Sequence, residues 1–342
     1  MSLPAVGGAP ALPMQGQPLQ GISAIQWNPD GTVWALSDNG YGNRANSADA
    51  MLMIHRLRID WETGAVARVE TVFLSDPNRI APFPVQSETS ETRYLTGRDF
   101  DPESFAPRPG GGFFVGEEFG PFVLEFDAGG RLLALFPVSS QGVEVRSPDN
   151  WAGGTANLGR SKGLEGMGHS ADGRFIYPML EGAVLDAAGQ PEQDAQGRTV
   201  LRILEFDVAA RAFTGREWLY PLSDPGHAIG DILFTDDFSA IVIERDGLQG
   251  DAAQVKRLVV VRLEPDGGAI VQGETRDLLA MRDHFDPNGA LLRFPFVTIE
   301  SITRNAEGQF IIANDNNYPF SAGRDPTRPD NTEFILVNVL TD

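Results

Sequence analysis

The sequence predicts an all-β chain that folds as a single β-propeller built from four-stranded blades. Three observations lead to this fold class: a block that recurs five times, strand pairs that follow the copies of the block, and frequent turn residues. The 342 residues include 38 Gly and 24 Pro spread along the chain, so turns are frequent and long helices are not expected. A modular, radial fold accommodates a chain of this length in one domain.

The recurring block combines a turn with the start of an apolar strand. Residues 21–40, 101–120 and 298–317 align without gaps, and residues 163–182 and 229–247 are further copies. An acidic or polar residue stands near the start of each copy, namely Ser23, Glu103, Glu165, Asp231 and Glu300. Fifteen positions later the copies have Asp38, Glu118, Leu180, Asp246 and Asp315, and Glu181 beside Leu180 is the acid of its copy. The intervals of 80, 62, 66 and 69 residues (23 to 103, 103 to 165, 165 to 231, 231 to 300) suit one four-stranded blade each.

Two further strands are predicted in the second half of each unit. Runs such as "FVLEFDAGGRLLALF" and "RLVVVRLEPDGGAIVQGE" alternate or are β-branched and are broken by Asp and Gly, which is typical of hairpins. The fifth unit supplies only "EFILVNVL" before the chain ends at Asp342. We therefore expect the N-terminal segment, residues 1–20, to close the last blade as its outer strand, with the propeller domain over residues 21–342. A sixth blade that has lost the pattern, over residues 76–100, is the alternative.

The charge of the chain restricts its partners. A formal net charge of −20 argues against nucleic acid and anionic membrane surfaces, because both require clustered Lys and Arg. No run of 18 apolar residues is present, so no spanning helix is predicted. We expect a monomer that binds a small molecule, and an anionic one requires a cation as intermediary. The absence of cysteine excludes disulfides and thiolate metal sites.

The repeated acids predict a cation site at a mouth of the central channel. The innermost strand of each propeller blade lines the channel, so equivalent strand positions converge there. Unpaired carboxylates at strand positions such as Glu103 and Glu165 are disfavoured, and a shared cation explains them. Oxygen ligands without Cys favour Ca²⁺ over zinc, and the four His show no HxH or HExxH spacing. For acids inside the turns, such as Asp30, Asp172 and Asp266, turn capping is the favoured interpretation.

Other catalytic templates are not supported by the sequence. It contains no P-loop, no GxSxG elbow, and no GxGxxG that follows a strand and opens a helix. His169 and His227 are candidates for a general acid, although a surface or turn position is the favoured interpretation of each.

Four segments in chain order carry a resemblance to a known family. They are "GRDFDPESFAPRPGGGFFVGEEFGPFVLEFDAGGRLLALFPV" (97–138), "KGLEGMGHSADGRFIY" (162–177), "AIVIERDG" (240–247) with "VKRLVVVRL" (255–263), and "IESITRNAEGQFIIANDNN" (299–317). These segments resemble the phytase-like domain family, whose label is "esterase-like activity of phytase". The match spans about residues 20–340, and the block around "EEFGPF" is its most specific part.

The resemblance implies a β-propeller that is exported from Gram-negative bacteria, so a periplasmic or secreted location is expected. It also implies a link to calcium-dependent β-propeller phytases, in which channel carboxylates hold Ca²⁺ ions that bind substrate phosphates and activate a water. The motif acids of the family fall on Asp101, Glu103, Glu117, Glu118, Glu165, Glu244, Asp246, Glu300, Asp315 and Asn316.

The resulting hypothesis is Ca²⁺-assisted hydrolysis of a phosphomonoester. The expected metal ligands are Glu103, Glu165, Asp231, Glu300, Asp315 and Asn316. The expected phosphate-binding residues are Arg98, Lys162 and Arg245, and Glu118 or Glu244 is expected to act as the base. Basic residues near the motifs are sparse, which departs from the pattern of an enzyme that binds phosphate.

Two alternatives remain open from the sequence. A calcium-dependent lactonase or carboxylic esterase also uses a propeller channel with Glu, Asn and Asp ligands, and Asp315 and Asn316 fit that pattern equally well. A non-catalytic extracytoplasmic binding propeller, in which Ca²⁺ only rigidifies loops, is the second alternative, because fold does not determine function.

Overall fold

In the computed structural model, which describes residues 20–40, 42–284, 286 and 288–338, five antiparallel sheets form a ring. Each of these sheets is one blade, and the first strand of each blade in sequence is its innermost strand. The inner strands pack against their neighbours in order, and the inner strand of blade 5 packs against that of blade 1. The predicted all-β fold, a single β-propeller, is therefore confirmed, and it has five blades.

The first three blades contain four strands each. Blade 1 consists of β1 (Ile22–Trp27), β2 (Val33–Ser37), β3 (Met53–Asp60) and β4 (Ala65–Phe73). Blade 2 consists of β5 (Pro102–Pro107), β6 (Phe113–Glu117), β7 (Phe122–Phe126) and β8 (Leu132–Pro137), and a small hairpin of β9 (Ser139–Ser140) and β10 (Val143–Glu144) follows. Blade 3 consists of β11 (Leu164–His169), β12 (Phe175–Leu180), β13 (Val200–Asp207) and β14 (Ala212–Pro221).

The last two blades follow the same plan. Blade 4 begins with β15 (Ala228–Asp236), β16 (Ser239–Arg245) and, after a short 3₁₀ helix at Gly250–Ala252, β17 (Lys256–Arg262). Strand β18 (Gly268–Ala269) pairs in parallel with β14, and β19 (Val271–Asp277) completes blade 4. A hairpin of β20 (Met281–Arg282) and β21 (Leu291–Leu292) leads to blade 5, which consists of β22 (Thr298–Arg304), β23 (Phe310–Asp315) and β24 (Phe334–Val337). Among the described residues, no helix has the length and apolar character that crossing a membrane requires.

Apolar clusters lie between adjacent blades. Successive strand residues point to opposite faces, so each blade supplies apolar side chains to both of its neighbours. In β6, Phe113 and Val115 join the cluster shared with blade 1, whereas Phe114 joins the cluster shared with blade 3. Equivalent clusters lie between blades 3 and 4, blades 4 and 5, and blades 5 and 1. A slip of one residue would move every side chain of a strand to the opposite face, where it would meet the other neighbouring blade. Because the two faces pack in different clusters, the register of each strand is fixed.

The alternative of a sixth blade over residues 76–100 is wrong. This segment forms turns, and its only pairings are isolated bridges at its ends, such as Ser75 with Tyr94. Its apolar residues Leu95 and Phe100 join the cluster between blades 1 and 2, so the segment covers that contact. The outer strand predicted from residues 1–20 lies, except for Gln20, outside the described residues. In the described part, blade 5 has three strands.

A buried asparagine joins blade 5 to blade 1. Asn316 Oδ1 accepts a hydrogen bond from the backbone N–H of Gly21 at 3.1 Å, and Asn316 Nδ2 donates to the carbonyl of Asp330 at 3.3 Å. A second link connects the same inner strands, because the N–H of Trp27 donates to Thr303 Oγ1 at 3.0 Å. Asn316, which the sequence analysis assigned to the metal, therefore has a structural role in ring closure.

Replacing Asn316 with Ala should lower the free energy of unfolding by about 1–3 kcal/mol, because the buried N–H of Gly21 loses its acceptor. Thermal or urea unfolding of the purified variant measures this change. Asn331→Ala, at an exposed position near the same junction, is the control and should change stability by less than about 0.5 kcal/mol. Equal unfolding midpoints for Asn316→Ala and the unchanged protein would show that this contact does not stabilise the closed ring.

Candidate functional site

A register shift near the start of each inner strand aims side chains at the central channel. In β1, β5, β11 and β22, the pairing with the next strand skips one residue, and the skipped residues are Ser23, Glu103, Glu165 and Glu300. A β-bulge leaves its extra residue out of the ladder and re-orients its side chain. The three skipped glutamates line one cavity at the mouth of the channel. The bulges therefore explain how acids occupy positions inside buried strands.

A second set of residues follows the second strand of each blade. The N–H of Asp38 donates to the carbonyl of Gly21, and the N–H of Glu118 donates to the carbonyl of Asp101, both at 3.0 Å. Corresponding backbone pairings place one residue of every blade at this level, namely Asp38, Glu118, Glu181, Arg245 and Asp315. Four of these residues are acids, and blade 4 supplies an arginine instead.

The second set and the three skipped glutamates border a cavity of about 240 Å³, the channel-mouth cavity, whereas Ser23 lies outside its lining. Its lining contains the eight acids Asp38, Asp101, Glu103, Glu118, Glu165, Glu181, Glu300 and Asp315, the two cations Lys162 and Arg245, and Asn39, Gly42, Ser161 and Asn317. A larger groove of about 870 Å³ lies along the outer strands of blades 1 and 2, away from the inner strands. The convergence of charge makes the smaller cavity the candidate site.

Arg245 is the counterion of three cavity acids. Its Nη2 donates to Glu165 Oε1 at 3.0 Å, to Glu181 Oε1 at 3.2 Å and to Glu300 Oε1 at 3.1 Å. All four side chains are buried. A buried charge without a partner is strongly unfavourable, so Glu165 and Glu300 depend on this guanidinium, whereas Glu181 also pairs with Lys162.

Blade 4 differs from the other blades because its repeat is displaced by one residue. Pairing in β15 skips between Ile229 and Ile232, which places Gly230 at the level of Glu103. A Cβ atom on Gly230 would lie 1.8 Å from the carbonyl oxygen of Ile299, so no side chain fits at this position. The neighbouring blade passes too close to the axis here, and the long side chain of Arg245 enters the cavity from the next strand.

Asp231, a predicted metal ligand, lies outside the cavity lining. Its carboxylate accepts hydrogen bonds from three backbone N–H groups, those of Ile232 at 2.8 Å, Ile302 at 3.0 Å and Met167 at 3.4 Å. Burial raises the pKa of Asp231 to about 8, although these three donors oppose the shift. Asp231 thus connects the inner strands of blades 3, 4 and 5.

Burial and mutual repulsion raise the pKa values of seven cavity carboxylates. Burial and the neighbouring Glu181 raise the pKa of Glu165 to about 8, and burial raises the pKa values of Asp101 and Asp315 to about 6. For the same reasons, four further acids have pKa values well above their usual range: Asp38, Glu103, Glu118 and Glu300. At neutral pH the cluster therefore requires bound protons or additional cations.

Two groups of three acids have carboxylate oxygens close enough to share a cation. They are Asp101, Glu103 and Glu118, and Glu118, Glu165 and Glu181; within each group the oxygens lie within 4.8 Å of one another. Asp101 Oδ1 is buried and has no hydrogen-bond partner among the residues that the structure describes. An orphaned carboxylate oxygen among oxygen-only donors fits a hard cation such as Ca²⁺. Glu118 belongs to both groups, whereas it was predicted as a base.

The three predicted phosphate-binding residues have different surroundings. Lys162 lines the cavity, and its Nζ is paired with Glu181. Arg245 also lines the cavity, where three carboxylates hold it. Arg98 is exposed and lies outside the lining. Two of the three predicted cations therefore reach the cavity, and both are already engaged in ion pairs.

Glu244, the other predicted base, lies between blades 3 and 4 and outside the cavity lining. Its carboxylate accepts hydrogen bonds from Tyr220 Oη at 2.6 Å and from the N–H of Ser223 at 3.2 Å. Glu244 Oε1 also lies 3.0 Å from His227 Nδ1 and 3.2 Å from Arg257 Nη2. A buried carboxylate with this many partners is satisfied in place, which indicates a structural role.

Cavity residues absent from the predicted site include three acids and two asparagines. Asp38 and Glu181 occupy repeat positions, and Asp101 belongs to a motif, so the sequence contained a signal for each of them. Asn39 directly follows the repeat acid Asp38, and Asn317 stands two positions after the repeat acid Asp315. Asn317 has a φ of 43°, and its N–H donates to Asp315 Oδ1 at 3.0 Å, so this turn and not Asn316 faces the cavity.

Comparisons with known proteins give one family and several structures. A family model described as "Phytase-like: Esterase-like activity of phytase" matches residues 17–318. No curated protein matches the chain. The periplasmic gluconolactonase of Pseudomonas aeruginosa is similar in structure, with 16% identity, a TM-score of 0.39, and coverage of 92% of this chain and 88% of that chain. A GH43 β-1,3-galactosidase has 12% identity, a TM-score of 0.49 and coverage of 96% and 92%. A luciferin-regenerating enzyme has 10% identity, a TM-score of 0.40 and coverage of 93% and 78%.

Replacing Arg245 with Met should destabilise the chelator-treated protein by about 3–5 kcal/mol, because Glu165 and Glu300 lose their counterion and Glu181 keeps only Lys162. The midpoint of thermal unfolding, measured with a chelator present, tests this. Part of the loss should be recovered at lower pH, where the glutamates take up protons. Arg58→Met, at an exposed strand position, is the control for the loss of one positive charge. An unchanged midpoint in Arg245→Met would contradict the assigned role.

Proposed function

The chain belongs to the phytase-like family, and on this premise we propose that it is a Ca²⁺-dependent ester hydrolase that acts at the channel-mouth cavity. Phosphomonoesters are the proposed substrate class, and an extracytoplasmic location is proposed with them. The observation that carries the proposal is the pair of carboxylate groups that share Glu118. Their oxygen-only chemistry and the orphaned Asp101 Oδ1 support the binding of hard cations at this position.

The proposal gives each group of cavity residues a task. Asp101, Glu103 and Glu118 hold one cation, and Glu118 with Glu165 and Glu181 holds a second. A bound Ca²⁺ supplies positive charge that an acidic chain lacks, and it makes water more acidic. Because Glu118 is shared by both groups, we assign it as a ligand, and the proton acceptor is then one of the cavity acids outside the groups: Asp38, Glu300 or Asp315.

Lys162 is the residue proposed to orient an oxygen of the substrate. Its side chain is 42% exposed although its Nζ is paired with Glu181, so it is accessible from the mouth of the cavity. A Lys ammonium has three donors and can keep one carboxylate partner while it donates to a second group. Arg245 donates to three carboxylates through Nη2 and is assigned to charge balance.

A lactone or carboxylic ester is the second candidate substrate. It is favoured by the ion pairs of Lys162 and Arg245, which leave little uncompensated positive charge in the cavity for a phosphate dianion. An uncharged ester does not require such charge. The two substrate classes are separated by direct assay.

We expect the purified protein to release phosphate from a phosphomonoester only when calcium is present. Glu103→Gln and Glu165→Gln each remove one charge from a different carboxylate group, so each should lower calcium-dependent turnover by about 10- to 100-fold. Release of phosphate is measured during a calcium titration, with a chelator as the blank. Glu62→Gln, in an exposed turn, is the control and should retain full activity.

The outcomes separate the alternatives. If calcium-dependent assays release acid from a lactone but no phosphate from a phosphomonoester, lactones and carboxylic esters replace phosphomonoesters as the substrate class. Saturable calcium binding without turnover of either substrate would indicate the non-catalytic binding propeller. Full activity in both glutamine variants would contradict the proposed site.

Calcium affinity should rise with pH between about 6 and about 8, because burial raises the pKa values of Asp101 and Glu165 into this range. Protons and Ca²⁺ compete for the same oxygens, so affinity should change by about tenfold per pH unit for each proton released. A carboxyl whose folded pKa lies above its unfolded value loses its stabilising contribution as pH rises through the folded pKa. The chelated protein should therefore unfold at lower temperature near pH 8 than near pH 6, and calcium should reverse this difference. Calorimetric titration and thermal unfolding at several pH values measure both effects; a pH-independent affinity would contradict the assignment of these acids.

A further inference from the structure

Arg44 lies in the loop after β2, and its guanidinium lies over two aromatic rings. Its Cζ is 4.5 Å from the ring centre of Phe119 and 4.1 Å from that of Trp151. The Trp151 ring is itself held in place, because it stacks on Phe83 at 4.9 Å and its Nε1 donates to the carbonyl of Asp99 at 3.3 Å. The arrangement orients the guanidinium before any ligand arrives.

The N–H edge of Arg44 has no hydrogen bond to any described residue. Both Nε and Nη2 are buried without a partner. Burial lowers the pKa of Arg44, which the neighbouring acids Asp149, Glu117 and Asp99 oppose. An unpaired buried donor of a charged group costs free energy, and a stable protein retains such a group only with a compensating use.

The nearby acids do not pair with Arg44 because other donors occupy them. Asp149 is paired with Arg160. The Glu117 carboxylate accepts two backbone N–H bonds at 2.8 Å, and the Asp99 carboxylate accepts N–H bonds from Gln86 and Thr96 at 2.8 Å. These acids hold a cation in their vicinity without consuming its donors.

Arg44 belongs to a loop that contributes residues to the channel-mouth cavity. Asp38, Asn39 and Gly42, from the same loop, line the cavity, and Phe119 directly follows Glu118. Residues 42, 43, 45 and 46 of the loop are exposed, and Arg44 itself is partly buried. The cavity cations Lys162 and Arg245 are in ion pairs, which leaves Arg44 as the unpaired cation nearest to the site in sequence.

We propose that Arg44 binds an oxyanion group of the substrate and positions it over the channel-mouth cavity. The inference rests on the proposed hydrolase function and deepens it, because it adds a second cation to Lys162 for holding the oxygens of the substrate. The two faces of the guanidinium are covered by rings, and its edge offers parallel N–H donors, the geometry that recognises phosphate or carboxylate oxygens. Arg44 is a binding and positioning residue, and Trp151 and Phe119 orient it.

The test measures binding of inorganic phosphate and of acetate by calorimetry, with calcium present. Arg44→Gln should weaken oxyanion binding by about 10- to 100-fold, and Arg44→Lys should give an intermediate loss because it keeps the charge without the fork. Trp151→Leu should weaken binding although the charge remains. Arg58→Gln, an exposed arginine, is the matched control and should bind as the unchanged protein does. Preference for phosphate or for acetate shows which substrate class supplies the oxyanion.

Steady-state assays separate this inference from the proposed function. With a charged ester, Arg44→Gln should raise KM by about 10- to 100-fold with a smaller effect on kcat, whereas the KM of an uncharged lactone should not change. Arg44-dependent oxyanion binding in a protein that hydrolyses no ester would refute the hydrolase function and leave this inference standing. Calcium-dependent turnover with the same KM and the same phosphate and acetate affinities in Arg44→Gln would overturn the inference alone. Failure of the unchanged protein to bind either anion would also overturn it.

Discussion

The compensation of buried negative charge at the channel axis is the constraint on which the rest of the site depends. Eight acids and two cations line one small cavity. The guanidinium of Arg245 offsets part of this charge by contacting glutamates from blades 3 and 5. Burial and neighbouring carboxylates raise the pKa values of Glu103, Glu118 and Glu300, so it costs additional free energy to ionise these acids together. A propeller tolerates such a centre because its apolar clusters lie between blades and not on the axis.

The fold was predictable because the repeat encodes local structure. Each copy specifies an inner strand, a turn and a second strand, and hydrophobic alternation then determines how the blades stack. Glu103, Glu165, Glu300 and Asp315, which the sequence analysis grouped as metal ligands, all line the channel-mouth cavity, since equivalent positions in a radial repeat converge. What they bind there is a separate question that convergence does not answer. The missing outer strand of blade 5 involves residues outside the described part and stays a prediction.

Sequence spacing could not place the remaining site residues, because the pairing register of each strand decides whether a side chain faces the cavity. Asp231 appeared equivalent to Glu165 in the alignment, but the ladder of β15 gives that level to Gly230. The difference of one residue moves the carboxylate from the cavity to three backbone N–H groups. Similarly, Asn316 and Asn317 are adjacent, and only the left-handed turn at Asn317 determines which amide reaches the cavity. The pairing of Arg245 with Glu300, which lie 55 residues apart in the chain, has no local signature in the sequence.

The five blades do not supply equivalent residues to the cavity, so positive and negative charges are distributed unevenly around the axis. Blade 4 supplies Gly230 where blades 2, 3 and 5 supply a glutamate, and it supplies Arg245 where the other four blades supply an acid. The positive charge of Arg245 therefore comes from blade 4 and pairs with Glu300, Glu165 and Glu181. Both carboxylate groups suited to a cation are drawn from blades 2 and 3. The aromatic pair that holds Arg44 comes from Phe119 at the end of β6 and Trp151 in the segment between blades 2 and 3. The acids proposed to bind cations and the rings beside Arg44 therefore come from the same part of the ring of blades, and a substrate held between them would approach the cavity off-centre.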